Sequence, residues 1–451
     1  MLPEKYTSYH LIKYIRPIWY FHLIPYDKKN FVWAQWGHTL QDEKDLMDCD
    51  ENYSTLELSM IDISYQALMK GMVKQVENNI QIEQVKLLPT DIYRFIQKYH
   101  KKIWLYLTFF QRLFSLNNPI NELIGFWQTR KVKRIDLFET HYKYNDYMDY
   151  DSPLVDSNPF ITIIIPTYNR YEALHNVLED IQKQTFTNYE VVIIDQSNPY
   201  QEDFYNKFNF KHHVIRQEVA ALWRARNNGI KSAKSEYLLF LDDDSRIASN
   251  WILEHFKCID YFHADISSGV SISRIGAKVP ENYSFFRWSD QLDTGNVLIK
   301  KKVFERCGMF DEQFEKMRMG DGEFGVRAYL NGFKNIANPK ASRIHLKSKK
   351  GGLRDIGHWD AFRPKNILSP RPIPSVLYLY RKYWGDTPAL ITLLQTVPFS
   401  YCPYQLKSKK SGYLLSIIVC ILFFPLVLLQ VIISWKRSNR MLKIGGLIEK
   451  I

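Results

Sequence analysis

Three almost uninterrupted apolar runs set the strongest limit on this chain: FITIII (160–165), EVVII (190–194) and EYLLFL (236–241). Each stops at a Pro or an Asp, and segments of helical rhythm lie between them. Runs rich in β-branched residues, with no polar alternation, describe strands covered on both faces. Between the first two, TYNRYEALHNVLEDIQKQ places Leu174, Val177, Leu178 and Ile181 on one helical face. KHHVIR (211–216) is a weaker strand, and Ala220–Ala233 and Trp251–Phe262 read as helices. Strands alternating with helices predict an α/β fold with a mostly parallel central sheet flanked by helices. In such sheets ligands bind beyond the C-terminal strand ends. Pro166-Thr167, Asp195 and Asp242-Asp243-Asp244 all fall there.

Three adjacent carboxylates repel one another and require neutralisation. Hard divalent cations such as Mg²⁺ or Mn²⁺ take oxygen ligands and bridge to phosphates. In extended chain Asp242 and Asp244 point to the same side and could share one ligand. The plain alternative is a solvated acidic turn. Further on, GDGEFGVRAYLNGF (320–333) opens a helix with Asp321 and Glu323. Either Asp321 caps it and Glu323 pairs with Arg327 one turn on, or one carboxylate faces a cleft as general base. Gly320 and Gly322 allow a ligand close to Asp321. His345 ends an apparent strand, ASRIHL, and a basic loop follows with Lys347, Lys349, Lys350, Gly351, Gly352 and Arg354. Such a loop can fold over a diphosphate.

Six segments in order resemble a family-2 glycosyltransferase with the GT-A nucleotide-sugar-binding fold. They are IIIPTYNR (163–170), VVIIDQS (191–197), ARNNGI (225–230), YLLFLDDD (237–244), TGNVLIKKKVFERCGMFDEQF (294–314) and GDGEFGVRAYLNGF (320–333). The resemblance implies that Pro166, Thr167 and Arg170 border the nucleotide pocket and that Asp195 meets the nucleobase. It implies that Arg226 and Asn227 lie near the nucleotide, and that Asp242 faces the ribose and Asp244 the metal. Asp243 and Glu323 join the substrate-binding set, and Gly295 and Asn296 border donor sugar and acceptor. Asp321 is the implied catalytic base and His345 an additional metal ligand. Two positions depart from the common pattern: Gly320 precedes the base where Glu is frequent, and DQS replaces DDGS. The implied activity is metal-dependent inverting transfer of a sugar from a UDP- or dTDP-linked donor to a hydroxyl of a glycan or lipid-linked acceptor, in cell-surface polysaccharide assembly. The alternatives are a sugar-1-phosphate nucleotidyltransferase and an inactive membrane-anchored carbohydrate-binding protein. PTYNRYEA lacks the glycines that the first would need.

Glycosyltransferase character is assigned to residues 158–365. Residues 1–150 read as a mostly helical region, with Ile103–Phe114 a core or interfacial helix, and their opening lacks the apolar stretch of a secretory leader. The net charge of +12 is unevenly spread. Residues 331–451 carry 20 Lys/Arg against 4 Asp/Glu. That excess surrounds Tyr413–Trp435, 23 residues without a charge and long enough to cross a bilayer. Lys407, Lys409 and Lys410 precede the run, in a basic and aromatic juxtamembrane region (366–412). Lys436, Arg437, Arg440 and Lys443 follow it in the tail 436–451. Lipid phosphate is therefore the expected anionic partner, and nucleic acid is not. Positive charge on both flanks and Pro425 near the centre leave two readings: a straight span, or a kinked re-entrant segment. The five cysteines are scattered without a CxxC pair, which fits a reducing compartment and a cytoplasmic catalytic domain attached to a membrane.

Overall fold

The computed structural model describes residues 7–26, 47, 49–73, 87–273, 279, 281–347, 352, 361–363, 366, 368–402, 406 and 409–451. Among these residues, nine strands form one sheet. They are β1 (Ile161–Thr167), β2 (Tyr189–Asp195), β3 (His212–Arg216), β4 (Tyr237–Leu241), β5 (Ser245–Ile247), β6 (Ile266–Ser273), β7 (Arg287–Trp288), β8 (Asn296–Lys300) and β9 (Asn335–His345). The order is β3-β2-β1-β4-β8-β6-β9-β5, with β7 on β9. All seven residues of β1 are buried. Ile163 and Ile165 face one apolar cluster and Ile164 the other, the period of two that a doubly covered strand requires.

The sheet is mixed rather than mostly parallel. β3, β2, β1 and β4 run parallel. β8 then lies antiparallel to both β4 and β6. An antiparallel neighbour needs no crossover helix, so the strand–helix alternation that predicts the first half carries no information about β8. The parallel half still gathers the C-terminal ends of β1, β2 and β4 at one edge, as expected.

The N-terminal region is helical over Leu56–Met69, Pro89–Tyr99, Lys102–Phe114 and Pro119–Thr129. It shares an apolar core with the sheet: Trp19, Tyr65 and Phe95 belong to the same cluster as Val192, Phe240 and Phe324. The Trp384 indole donates to the Trp19 carbonyl at 3.0 Å, and Tyr329 donates to the Leu23 carbonyl at 3.1 Å.

The apolar run near the C-terminal end is not one straight helix. Lys410–Leu422 and Phe424–Ile444 meet at a bend of 84°. Pro425 sits in the first turn of the second helix, where its missing N–H costs no hydrogen bond. No single helix among the described residues is long and apolar enough to cross a membrane, although the bent pair is by length and composition. The residues after it return to the sheet domain. Met309 N donates to Glu449 O at 2.8 Å, Glu312 N to Leu447 O at 3.2 Å, and Leu447 N to the Asp311 carboxylate at 3.0 Å.

Candidate active site

Four chain segments converge at the strand-end edge. β4 delivers Asp242 directly into the pocket, and the turn to β5 carries Asp243 and Asp244. Pairing of β5 with β9 sets Ser245 opposite His345, which brings the imidazole to Asp244 with Nε2 to Oδ1 at 3.2 Å. Two residues earlier on β9, and so on the same face, Arg343 reaches Asp242 Oδ2 at 3.0 Å and Asp293 Oδ2 at 3.1 Å. Arg226, from the helix Leu222–Ser232, takes the other Asp242 oxygen at 3.0 Å. Arg170 completes the set, 3.1 Å from Asp243 and 3.2 Å from Asp244.

These contacts divide the labour within the acidic triplet. Burial opposes ionisation of Asp242, but Arg343 and Arg226 outweigh it and hold its pKa below the ordinary value. Asp244 is likewise driven down against burial, by the His345 hydrogen bond and by Arg170. Asp243 behaves differently. Burial pushes its pKa up to about 6 despite Arg170, and Thr167 donates to it at 2.8 Å. It ties β1 to the turn, while its two neighbours present charge to the pocket. Ligand atoms of Asp242, Asp244 and His345 all lie within 4.8 Å of one another. Two carboxylates and an imidazole form a donor set suited to Mn²⁺ or Mg²⁺, so these residues fit the cation that the sequence implies.

Asp321 begins the helix Gly320–Leu330, with Gly322 N donating to its carboxylate at 2.8 Å. Its pKa is raised, first by burial and then by the negative charge of Asp293. Arg226, which holds Asp242, also acts on Asp321 electrostatically, so one guanidinium lies within reach of both carboxylates. Gly320 is required here by contact: a Cβ would lie 2.4 Å from the Trp223 ring. This explains why Glu cannot stand at that position in this chain. Gly295 is similarly constrained, since its Cβ would lie 2.1 Å from Asp242 Oδ2 and 2.3 Å from Arg343 Nη2. Gly295→Ala is therefore expected to split the Asp242–Arg343 pair and to lower the midpoint of urea unfolding. An unchanged midpoint would show that the site absorbs the added methyl.

Three of the expected contact residues serve packing instead. Asn227 clamps Phe310, donating to its carbonyl and accepting from its N–H, each at 3.0 Å. Asn296 is fully buried; it accepts from the Trp251 indole at 2.8 Å and donates to Ala341 O at 2.9 Å. Glu323 is also fully buried, against Arg327, Lys382 and Tyr383. Pro166 lies inside β1, opposite Ile194. Asp195 stands at the end of β2 as expected, with Tyr171, Tyr205 and Ser197 N bonded to its carboxylate at 2.7 to 2.8 Å. Of the basic loop, Lys349, Lys350, Gly351 and Arg354 lie outside the described residues. Gly352 touches the site: its N–H donates to Tyr168 O at 2.8 Å, and at φ +84° a Cβ would lie 2.2 Å from the Arg170 guanidinium.

Sequence reasoning missed Arg343, Asp293 and Tyr20. Arg343 could have been found from its spacing to His345, and Asp293 adjoins the matched TGNVL segment. Tyr20, whose hydroxyl donates to Gly322 O, carries no local signal. Through it, residues far upstream brace the helix that carries Asp321.

Residues 162–311 match the family model described as Glycosyl transferase family 2. The chain carries a family-2 glycosyltransferase domain. Relatives of this domain include the glycosyltransferase GlyA of Streptococcus pneumoniae, 30% identical over 173 residues, covering 37% of this chain and 23% of the relative. The poly(ribitol-phosphate) beta-N-acetylglucosaminyltransferase TarS of Staphylococcus aureus is 30% identical over 209 residues, covering 42% of this chain and 34% of TarS. The chain thus spans about a quarter to a third of the length of these relatives. Among solved structures, GalNAc-T7 with UDP, GalNAc and Mn²⁺ aligns with a TM-score of 0.40 and 16% identity over 56% of this chain and 52% of that one. TarS 1–349 aligns with a TM-score of 0.37 and 19% identity over 59% of this chain and 77% of the other. Within the glycosyltransferase domain, the acidic triplet and Gly295 lie inside the matched residues, whereas Asp321, Arg343 and His345 lie beyond them.

Proposed function

We propose that this domain transfers a sugar from a nucleotide-sugar, UDP- or dTDP-linked, to a hydroxyl of a glycan or lipid-linked acceptor, with inversion. The supporting observation is that ligand atoms of Asp242, Asp244 and His345 lie within 4.8 Å of one another, with Asp321 under the influence of the same Arg226 that holds Asp242. Asp242, Asp244 and His345 would hold Mg²⁺ or Mn²⁺, which when bound supplies positive charge to the diphosphate leaving group. Arg170 adds charge beside them. Asp321 accepts the proton of the acceptor hydroxyl as it attacks the anomeric carbon. Asp293 is held by Arg343 and Ser271, so Asp321 is the carboxylate poised for chemistry, and a single displacement needs no second, nucleophilic one.

The printed name of TarS, a poly(ribitol-phosphate) beta-N-acetylglucosaminyltransferase of Staphylococcus aureus, supports a hydroxyl-bearing bacterial polymer as the acceptor class. The bent apolar pair supports attachment to a membrane, with the catalytic domain on the cytoplasmic face where nucleotide-sugars are made. The bonds between residues 447–449 and residues 309–312 support the re-entrant reading, with both ends of the pair on one side. A straight crossing would have to break them.

The test is a screen of nucleotide-sugars with purified protein and Mn²⁺, reading release of nucleoside diphosphate. Asp244→Ala should abolish Mn²⁺-dependent nucleotide binding in calorimetry while the fold persists. Equal affinity in the variant would remove the metal from the reading. A pH profile gives a second check. Asp293 raises the Asp321 pKa, so removing its charge favours the ionised base. Asp293→Asn should move the acid limb of turnover to lower pH; a limb that stays in place would uncouple the two residues.

A further inference from the structure

The helical hairpin Lys102–Phe114 and Pro119–Thr129 exposes an apolar face that the reaction does not use. Its inner side is tied down: Arg112 pairs with Glu122 at 2.7 Å, and Tyr93 donates to the same carboxylate. With those two charges turned inward, no exposed residue from 103 to 129 is charged. The outer side presents Ile103, Tyr106, Phe110, Ile120, Leu123 and Ile124. The tip is barer still, with Phe114 86% and Leu116 93% exposed, and Trp127 is 64% exposed. Exposed cations bracket this face: Lys101 and Lys102 before it, Arg130, Lys131, Lys133 and Arg134 after it. Arg130 stacks on Trp127 at 4.0 Å.

A chain of contacts joins the hairpin tip to the bent pair. Tyr14 donates to Ser115 at 3.5 Å, Gln395 donates to Tyr14 O, and Ser416 of the bent pair donates to Pro398 O. Leu394, between them, is 71% exposed. The exposed residues of the bent pair include Leu414, Ile418, Ile421, Phe423 and Phe424, followed by Lys436, Arg437 and Arg440.

We propose that the hairpin 102–129 is a second foot on an anionic lipid surface, dipping its tip and outer face into the interface beside the bent pair. An apolar face with interfacial aromatics and a basic rim is the pattern that binds headgroup and acyl boundary together. A protein partner would not require the cations on both flanks, whereas anionic headgroups do. This inference rests on the membrane-attachment reading of the bent pair and is independent of the glycosyl-transfer reading.

The experiment uses the full chain and vesicles of phosphatidylcholine with or without phosphatidylglycerol. Amides of 103–129 should exchange more slowly on anionic vesicles than in vesicle-free solution, and Trp127 should be quenched by brominated acyl chains. The double variant Phe114→Glu/Leu116→Glu, with its circular dichroism unchanged, should float with anionic vesicles at least about tenfold less well, although the bent pair is intact. Equal exchange of the hairpin with and without vesicles, while the protein floats, would overturn the proposal. So would protection of the hairpin without lipid that rises with protein concentration, since that would make a second copy its occupant.

Discussion

Replacing Asp321 with Asn is expected to lower turnover at least about a hundredfold, a barrier increase of about 2.7 kcal/mol, with donor affinity nearly unchanged. Asn has the same shape, and its carbonyl oxygen can accept the bond that Gly322 N donates to Asp321 at 2.8 Å. It cannot take a proton from an acceptor hydroxyl. The groups that hold the rest of the pocket do not depend on it: Arg226 keeps Asp242, and Arg343 keeps both Asp242 and Asp293. Single-turnover kinetics alongside calorimetry with nucleoside diphosphate separates the two effects. Near-normal turnover would move the proton transfer elsewhere, and Asp293, the remaining carboxylate near the base, would be the next residue to replace.

Glu323→Ala is expected to act on the fold. Its carboxylate accepts from Arg327 at 2.9 Å, from Lys382 at 2.9 Å and from Tyr383 at 2.6 Å, and it is fully buried. These bonds join the helix Gly320–Leu330 to the helix Pro374–Trp384. Removing the acid leaves buried Arg327 with backbone carbonyls but no counter-charge and Lys382 with only Asp311, 3.6 Å away, and breaking a buried pair in this way costs about 3–5 kcal/mol. Urea unfolding should report the loss. A Glu323→Met/Arg327→Met double variant should recover part of it, because an apolar pair leaves less charge unpaired. Burial opposes ionisation of Glu323, but Arg327 and Lys382 depress its pKa. Its contribution is therefore present at neutral pH and is lost as pH falls through the folded value. A change below about 0.5 kcal/mol, the scale of ordinary surface substitutions, would show that the pair is effectively solvated.

The strands that locate the site were legible because a doubly buried parallel strand leaves a mark few other structures leave, as in FITIII and YLLFL. Neighbouring residues within one motif were harder to assign. Gly295 and Asn296 are adjacent in chain, yet Gly295 lies against Asp242 while the Asn296 side chain is bonded within the core. Arg226 and Asn227 are successive helical residues about 100° apart, so one meets Asp242 and the other Phe310. Asp321 and Glu323 are about 200° apart on their helix, which is why one faces the pocket and the other the core. A motif thus names a turn of chain, and only the backbone direction says which side chain of that turn meets the ligand. The sequence points to a metal and a lysine-rich loop as the neutralising charge, and the structure adds Arg170, Arg226 and Arg343 as direct partners of the acids. Arg226 and Arg170 stood in the sequence as nucleotide contacts, and their partnership with the acids depends on how the strands pair.

The bonds between residues 309–312 and residues 447–449 impose an order on the making of the protein. Asp311 and Leu447 are 136 residues apart, so at roughly 5–20 residues per second the ribosome delivers the second about 7–27 s after the first. During that interval the acids of the triplet have already been synthesised, and the bent apolar pair is only then emerging. Leu447 caps Asp311, next to the Phe310 that Asn227 clamps. A nascent chain paused before residue 447 therefore holds every reactive side chain but lacks the bonds that close this loop. Closure of the loop 309–312 therefore waits on a stretch that is translated only after the whole apolar pair.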